Sequence, residues 1–292
     1  MVAGHGRHVV VETLEGQRVI CHPRGKRSHA VVGDRVRWQA SRDEGTIETV
    51  EARRNLLYRQ DDVRTKSFAA NLDQVLILIA AEPEFSEHQL ARALIAAEAE
   101  HITPVILLNK SDLPVPFSLA WDRLAPYRAM GYPLLPMSIK AATDEQLRPL
   151  VDLLDGKTTL LLGPSGSGKS TLINRMVRGA QAQTREISQA LNSGKHTTTA
   201  TSLYWVNRDH GTALIDSPGF QEFGLRHIDP MQLAAYMPDL KPHVAGCRFY
   251  NCTHLHEPGC GVLAAIGAEF GIHPRRHRIY ADLFAELSQS RY

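Results

Sequence analysis

A glycine-rich loop in the middle of the chain constrains the fold more than any other feature. Residues 163–170 read Gly-Pro-Ser-Gly-Ser-Gly-Lys-Ser and fit the pattern G-x-x-x-x-G-K-[ST]. An apolar strand is expected over residues 158–162, and a helix from about Thr171. Glycines in this setting let consecutive backbone N–H groups converge on phosphates at a helix N-terminus, which a merely structural turn does not need. The sequence therefore predicts an α/β domain of the P-loop class.

The loop also supplies the expected nucleotide contacts. Lys169 would bridge the β- and γ-phosphates, and the Ser170 hydroxyl would ligate Mg²⁺. Lys169 is accordingly also a candidate catalytic residue. The complete set of expected phosphate-loop residues is Gly163, Pro164, Ser165, Gly166, Ser167, Gly168, Lys169, Ser170 and Thr171.

A second motif predicts which base the nucleotide carries. Residues 109–112 read Asn-Lys-Ser-Asp and directly follow an apolar strand at 105–108. The Asp112 carboxylate can accept hydrogen bonds from guanine N1–H and the exocyclic amine, whereas adenine offers no donors there and would leave the carboxylate unpaired. Lys110 would lie along the base and Asn109 would tie the loops together. After the next strand, Ser138, Ile139 and Lys140 fit a loop whose backbone N–H groups contact guanine O6.

The remaining motifs lie after the phosphate loop. Residues 216–219 read Asp-Ser-Pro-Gly at the end of an apolar strand, so Asp216 would hold Mg²⁺ through water and the Gly219 N–H would contact the γ-phosphate. Upstream, residues 194–199 offer the magnesium-binding threonine of a first switch loop. We expect Thr198, which is then also a candidate catalytic residue, with Thr197 and Thr199 as alternatives.

The order of these motifs along the chain is unusual. The base-reading motif comes first, then 138–140, the phosphate loop, the threonines and Asp-Ser-Pro-Gly. An ordinary GTPase begins with the phosphate loop, so the sequence predicts a circularly permuted one. Strands alternating with helices predict a parallel sheet covered on both faces. The second switch should then run straight into the C-terminal part of the chain.

That part carries a cluster of cysteines and histidines. Cys247, Cys252, His254 and Cys260 supply three thiolates and one imidazole, a tetrahedral zinc set without an open position, which predicts structural rather than catalytic zinc. His243 and His256 are alternatives to His254.

The N-terminal part reads as short β-branched strands separated by turns, which fits an OB-type barrel of five strands. We expect an OB-fold RNA-binding domain at 1–62, a permuted GTPase domain at 68–232 and a zinc-binding helical domain at 233–292, with residues 53–66 as a linker. Basic residues outnumber acidic ones by 13 to 9 over residues 1–66 and by 6 to 4 over 240–292, but not in between. Basic ends hint at nucleic acid, although chance produces such asymmetry as well.

The longest apolar run, 75–81, is far shorter than the roughly 18 residues of a membrane span, so a soluble cytoplasmic protein without a signal peptide is expected.

Taken together, these motifs resemble the bacterial GTPases that depend on the small ribosomal subunit, the RsgA/YjeQ type. Further residues that match the family pattern are 32–36 in the barrel, 195–199, and Cys252-Thr253-His254 with 257–260. The resemblance implies GTP hydrolysis stimulated by the 30S subunit, a role in late 30S maturation, an OB-fold that contacts 16S rRNA, and a zinc domain that docks on the subunit. A monomer is expected.

The water-orienting glutamine of many GTPases is replaced here by Phe220, which predicts slow turnover without a partner. His196 is the candidate catalytic residue that positions or deprotonates water, or else contacts only rRNA or solvent. Residues 180–194 are expected to be disordered without GTP and ribosome. The expected phosphate-binding side chains are Arg7, Arg24, Lys26, Arg27, Arg35, Arg37, Arg275, Arg276 and Arg278.

Two other functions are compatible with parts of the sequence. An ABC-type ATPase resembles the chain locally at residues 162–171, but it requires an LSGGQ signature and an acidic residue after Asp216, where Ser217 stands. A non-catalytic RNA-binding adaptor that uses GTP only as a structural ligand would not need Lys169, Ser170 and Asp216 together.

Overall fold

The structure is a computed structural model that describes residues 1–5, 8–24, 30–41, 44–61, 65–180, 201–218, 220 and 223–289. Within these residues the strands are β1 Ala3–His5, β2 His8–Glu12, β3 Arg18–Pro23, β4 Val36–Ala40, β5 Gly45–Val50, β6 Leu56–Gln60, β7 Thr65–Ala70, β8 Gln74–Ala80, β9 Thr103–Asn109, β10 Leu134–Pro136, β11 Thr158–Leu162, β12 Thr201–Asn207 and β13 Thr212–Asp216.

The α-helices in the same residues are α1 Glu87–Ala99, α2 Pro114–Arg123, α3 Ala125–Ala129, α4 Asp144–Leu154, α5 Lys169–Met176, α6 Lys241–Val244, α7 Gly261–Ala264 and α8 Pro274–Leu287, and Pro230–Tyr236 forms a 3-10 helix. None of the helices in the described ranges is long and apolar enough to cross a membrane.

The first five strands form the predicted barrel. Their order is β1-β2-β3-β5-β4, with β3 parallel to β5 and the other neighbours antiparallel. The start of the chain approaches the open side: the Met1 ammonium donates to the Asp34 carbonyl at 2.7 Å, and the Gly33 N–H donates to the Met1 carbonyl at 3.0 Å. This arrangement is the partly open five-stranded Greek-key barrel of the OB type. Its interior holds Val9, Val11, Cys21 and Ile47.

The stretch expected to be a linker is instead a β-hairpin. β6 and β7 pair antiparallel from Leu56↔Ala70 to Gln60↔Thr65. Leu57 and Phe68 are buried in the main core, and the gain from burying these side chains stabilises an ordered hairpin over a polar tether. The linker prediction was wrong. The many charged residues of 53–66 obscure the apolar side chains that bury this hairpin in the core.

The central sheet runs β10-β9-β8-β11-β13-β12. Its first five strands are parallel, as predicted, but β12 is antiparallel to β13. The predicted parallel sheet is thus confirmed for these five strands, and β12 extends it in the antiparallel direction. β12 also pairs antiparallel with β1, Ala3 lying opposite Ser202, so the barrel strands continue the same sheet.

Helices cover both faces of this sheet, as the alternation of strands and helices predicts. Along β8, Val75, Ile77 and Ile79 face a core that includes α1, while Leu76 and Leu78 face a second core that includes α4 and α5. This two-sided burial follows from the period of two of a strand.

The C-terminal helices pack onto the α1 side. Apolar residues of α7, α8 and the 3-10 helix join the main core. A buried ion pair fixes α8 there: Arg276, 2 % exposed, donates to both Asp239 oxygens at 2.8 and 3.2 Å, and its guanidinium lies 5.0 Å from the centre of the Tyr127 ring.

We expect Arg276→Ala to lower the free energy of unfolding by about 3–5 kcal/mol, because it leaves the Asp239 carboxylate buried without its partner. Arg278→Ala, on the exposed side of the same helix, should change it by less than about 0.5 kcal/mol. Urea unfolding followed by circular dichroism measures both, and equal effects of the two substitutions would contradict the packing.

Candidate functional site

The phosphate loop joins β11 to α5 in a conformation that requires glycine at two positions. Gly163 has φ +158°, and a Cβ there would lie 2.1 Å from the Leu78 carbonyl oxygen. Gly168 has φ +110°, and a Cβ would lie 2.3 Å from Nδ2 of Asn109. The loop is thus packed directly against the neighbouring strand end and against the base-reading motif.

Asn109 connects the loops that follow three different strands. Its Nδ2 donates to the Ser167 carbonyl at 2.8 Å, and its Oδ1 accepts from the Ile139 N–H at 2.9 Å. Asn109 is 5 % exposed, so both bonds are shielded from water. The side chain therefore fixes the phosphate loop relative to the loop at 138–140, as the sequence predicted.

Asp112 is positioned at the mouth of the same region. Its Oδ1 accepts from the Ser138 hydroxyl at 2.5 Å, and this bond holds the pKa of the exposed Asp112 carboxyl below its ordinary value. Lys110 has φ +67° and donates to the Glu82 carbonyl. Asp112 is therefore ionised at neutral pH and can act as an acceptor.

Lys169 and Asp216 form the charged floor of the site. The Lys169 ammonium donates to the carbonyls of Gly163 at 2.7 Å and Pro164 at 3.0 Å. Burial lowers the pKa of Lys169, an effect that the Asp216 charge offsets in part. Burial likewise raises the pKa of Asp216, against the influence of Lys169. The charge of each residue thus stabilises the ionised form of the other, against the effect of burial.

All of these groups meet in one cleft of about 830 Å³, within the usual range of ligand pockets. Asp112 and Lys169 both line it, although the chain presents the first motif before the second. The lining residues are Asn109, Lys110, Asp112, Ser138, Lys140, Gly163, Ser165, Gly166, Gly168, Lys169, Ser170, Thr171, Asp216, Ser217, Pro218 and Phe220.

Some of the residues predicted to bind the nucleotide do not line this cleft. Ile139 and Ser167 are buried and serve through backbone groups, which bond to Asn109, and Pro164 offers its carbonyl to Lys169. None of these three is among the cleft-lining residues of the described chain. Thr198, His196 and Gly219 lie outside the described residues, as do residues 181–194 of the segment expected to be disordered.

Sequence reasoning missed several contributors. Ser217 and Pro218 line the cleft, and the Ser217 hydroxyl lies 2.8 Å from the Thr201 hydroxyl at the start of β12. Their place inside the Asp-Ser-Pro-Gly motif was an available signal. The Glu82 carbonyl, which accepts from Lys110, carried no signal because any residue could supply it.

Within the described residues, the segment after Asp216 adds no further strand to the central sheet, and it contacts the β6–β7 hairpin before the C-terminal part. The Pro218 carbonyl accepts from Lys66 of β7, and Phe223 stacks on Phe68 with ring centres 5.2 Å apart. A Cβ on Gly224 would lie 2.4 Å from the Gln60 carbonyl oxygen. The β6–β7 hairpin therefore contacts this segment before the chain enters the C-terminal helices.

The cysteine–histidine cluster forms a compact group of donors. The ligand atoms of Cys247, Cys252, His254 and Cys260 all lie within 4.8 Å of one another. Sγ of Cys247 lies 3.8 Å from Sγ of Cys260 and 3.4 Å from Nδ1 of His254. Thiolates bound tetrahedrally at about 2.3 Å from zinc are about 3.8 Å apart, and a thiolate and an imidazole about 3.6 Å apart. The cluster fits zinc.

Comparison with known proteins places this geometry in a family. The family model described as RsgA GTPase matches residues 50–226, more than half of the chain. The chain belongs to the RsgA GTPase family. Two similar proteins are both called "Small ribosomal subunit biogenesis GTPase RsgA". The one from Variovorax paradoxus is 69 % identical over 100 % of this chain and 93 % of its own length. The one from Burkholderia pseudomallei is 53 % identical over 99 % of this chain and 92 % of its own length.

Solved structures agree with the permuted order. YjeQ from Thermotoga maritima aligns with a TM-score of 0.74 at 30 % identity and covers 99 % of this chain and 98 % of its own. YloQ, described as a circularly permuted GTPase, aligns with a TM-score of 0.71 at 26 % identity over 100 % of this chain and 95 % of its own. As an RsgA GTPase, the chain is a GTP-hydrolysing enzyme that uses GTP, GDP and Mg²⁺. The ABC-type ATPase alternative is thereby excluded.

We expect Asn109→Ala to weaken GDP binding by roughly tenfold, because two shielded hydrogen bonds that fix the loops are lost. Titration with a fluorescent GDP analogue measures the affinity. Asn207→Ala removes the same side chain from the exposed end of β12 and should leave the affinity unchanged. Unaltered binding by Asn109→Ala would argue against its bridging role.

Proposed function

We propose that this chain hydrolyses GTP on the small ribosomal subunit and serves late in its biogenesis. The observation that carries the proposal is the union of the Asp112 and Lys169 loops in one cleft, within a chain 69 % identical over its full length to a protein called a small ribosomal subunit biogenesis GTPase. The proposed localisation is the bacterial cytoplasm, and the proposed state is a monomer.

The guanine end of the site follows from hydrogen-bond chemistry. Asp112 accepts from guanine N1–H and the exocyclic amine, Lys110 lies along the base, and the loop at Ser138, Ile139 and Lys140 faces guanine O6. Support comes from the ionised state of Asp112 and from the bond of Ser138 to it, which orients the carboxylate.

Residues 163–171 form the end of the site that binds the phosphates. Backbone N–H groups of the loop bind the phosphates, and Lys169 releases its carbonyl partners to pair with the β- and γ-phosphates. Bound Mg²⁺ supplies charge neutralisation for the transferred phosphoryl group. Ser170, Asp216 and Thr198 are the proposed residues that hold it. Ser170 and Asp216 support this by lining the same cleft, while Thr198 rests on the motif alone.

Hydrolysis requires a water molecule aligned with the γ-phosphorus, so that the new P–O bond forms as the bond to GDP breaks and one proton leaves the water. Phe220 lines the cleft where a glutamine would act, and its ring cannot hold water by a hydrogen bond. We assign the positioning of water, or removal of its proton, to His196. Turnover should then be slow until a partner brings His196 to the γ-phosphate.

The basic residues of the barrel remain candidates for contact with 16S rRNA. Arg24 and Arg37 are three-quarters exposed, at 4.0 Å from Glu48 and 3.7 Å from Glu51 respectively, and Arg35 is exposed as well. Arg276 was wrongly included among the phosphate binders, because it is buried against Asp239. Arg275 lies 3.3 Å from Glu87, and Arg278 is exposed. Arg7, Lys26 and Arg27 lie outside the described residues.

We also propose that residues 1–62 bind RNA, that residues 68–232 form the GTPase domain, and that residues 233–292 bind zinc. The proposed zinc is structural and is held by Cys247, Cys252, His254 and Cys260. Four protein ligands leave no position for a substrate.

The decisive experiment measures phosphate release from GTP with and without purified small subunits. The free chain should turn over slowly, and subunits should accelerate it roughly a hundredfold if they enable general base catalysis. Lys169→Ala should abolish the stimulated rate, whereas His196→Ala should remove most of the acceleration and leave GDP binding intact. Equal rates with and without subunits would refute the proposal, and ATP in place of GTP should give no stimulated release.

The purified chain should contain about one zinc per molecule. Cys260→Ser should lose the metal, while Cys21→Ala, which changes the cysteine of the barrel core, should retain it. Elemental analysis by mass spectrometry gives the stoichiometry. Full zinc content in Cys260→Ser would remove this residue from the ligand set.

A further inference from the structure

The loop between the first two cysteines of the zinc cluster projects aromatic side chains into solvent. We name residues 248–250, Arg-Phe-Tyr, the aromatic loop. Tyr250 is 101 % exposed and Phe249 is 41 % exposed. Leaving two aromatic rings in water forgoes the burial energy that such side chains normally supply, so a display of this kind marks an interaction surface.

The aromatic loop is held at both ends, although its side chains are exposed. The Arg248 N–H donates to the Gly259 carbonyl at 3.0 Å, and Cys247 and Cys252 on either side belong to the zinc-ligand cluster. Gly259 has φ +73°, and a Cβ there would lie 3.2 Å from Cβ of Arg248. The backbone that carries Tyr250 is therefore preorganised, which reduces the entropy lost when a partner binds.

The charge around the loop suits a polyanion. Arg248 lies over the Phe249 ring at 5.5 Å and forms no ion pair within the described chain. The carboxylate of Glu257, two residues before Gly259, accepts from the backbone N–H groups of Thr253, Leu255 and His256 at 2.7, 3.2 and 3.3 Å. The aromatic loop thus combines two exposed rings with a positive charge that has no ion-pair partner in the described chain.

Other exposed apolar side chains lack this combination. Phe270 is 95 % exposed, but the exposed carboxylate of Glu269 precedes it and would repel phosphate. Leu14, Val115 and Leu119 are exposed as well, yet aliphatic side chains offer no flat face for a base. Among the described residues, the aromatic loop is where exposed rings, Phe249 and Tyr250, share a short segment with an arginine that has no ion-pair partner, Arg248.

We propose that the aromatic loop binds an unpaired RNA base of the small subunit, which stacks on Tyr250 while Arg248 contacts an adjacent phosphate. Single-stranded RNA is bound by this pairing of a ring with a cation, because every base has a π-face and each nucleotide carries one negative charge. The inference rests on the proposed function and adds the nucleotide chemistry that the zinc module recognises.

The affinity of full-length variants for purified small subunits tests the proposal. Tyr250→Ala should bind about five- to a hundredfold more weakly, since one stacked base is lost, while Tyr250→Phe should bind within about twofold of the unsubstituted chain. Arg248→Ala should reduce the slope of log affinity against log salt by about one, whereas Tyr250→Ala should leave that slope unchanged. Leu119→Ala, which truncates an exposed side chain of α2, is the matched control and should have no effect.

A photo-crosslink identifies the partner. Replacement of Tyr250 with p-benzoyl-phenylalanine should yield a crosslink to 16S rRNA at a nucleotide outside a base pair. A crosslink to a ribosomal protein, a crosslink only to paired nucleotides, or unchanged affinity of Tyr250→Ala would each overturn the proposal. Zinc content and GTP turnover without subunits should be unaltered in Tyr250→Ala, which separates loss of contact from loss of structure.

The same experiment distinguishes this inference from the function on which it rests. If the unsubstituted chain binds subunits and is stimulated by them, while Tyr250→Ala behaves identically, then only the role of the aromatic loop fails. If the unsubstituted chain neither binds subunits nor responds to them, then the proposed function itself fails.

Discussion

The pair of hydrogen bonds made by the Asn109 side chain is the interaction on which the site depends. The amide reaches from the end of β9 across β8 to the phosphate loop after β11, and on its other side holds the loop after β10. Parallel strands bring these three loops to one edge of the sheet. What must be adjacent is therefore set by strand order in the sheet and not by order along the chain, which is why a permuted chain can assemble the same site.

Permutation does change which parts of the molecule the site touches. β13 ends at Asp216, and the residues that follow contact the β6–β7 hairpin, which leads directly into β8 at the centre of the sheet. Beyond that contact, Arg226 donates to the Glu286 carbonyl at 2.6 Å, and Arg92 of α1 pairs with the Glu286 carboxylate. The segment after Asp216 is thus bounded by the hairpin on one side and by α8 on the other.

Much of this could be predicted from the sequence, because phosphate and guanine recognition require particular residues at fixed spacing. The strand–loop–helix context of Gly163 and Lys169, the placement of Asp112 after a strand and the spacing of the Cys/His cluster are all local signals. The barrel followed from β-branched runs and turns.

The errors concern contacts between distant parts of the chain. Nothing local to Ala3 or Ser202 indicates that they pair, and Arg276 has the composition of a phosphate-binding residue until Asp239 is placed beside it. The charges of residues 53–66 suggested solvent exposure, yet Leu57 and Phe68 of the hairpin enter the core. Partners that are distant along the chain are selected by the whole fold, which overrides local propensity.

Under the proposed function, the pairing of β1 with β12 links the RNA-binding barrel mechanically to the nucleotide site. β12 begins at Thr201, directly after the segment that carries His196 and Thr198, and the Thr201 hydroxyl lies beside that of Ser217, next to Asp216. The same strand is hydrogen-bonded to the barrel through Ala3 and Gly4. A force that RNA exerts on the barrel therefore acts, through one strand pair, on the residue that borders both switch segments. A barrel attached by a flexible tether could not transmit such a force, whereas a barrel that shares the GTPase sheet can.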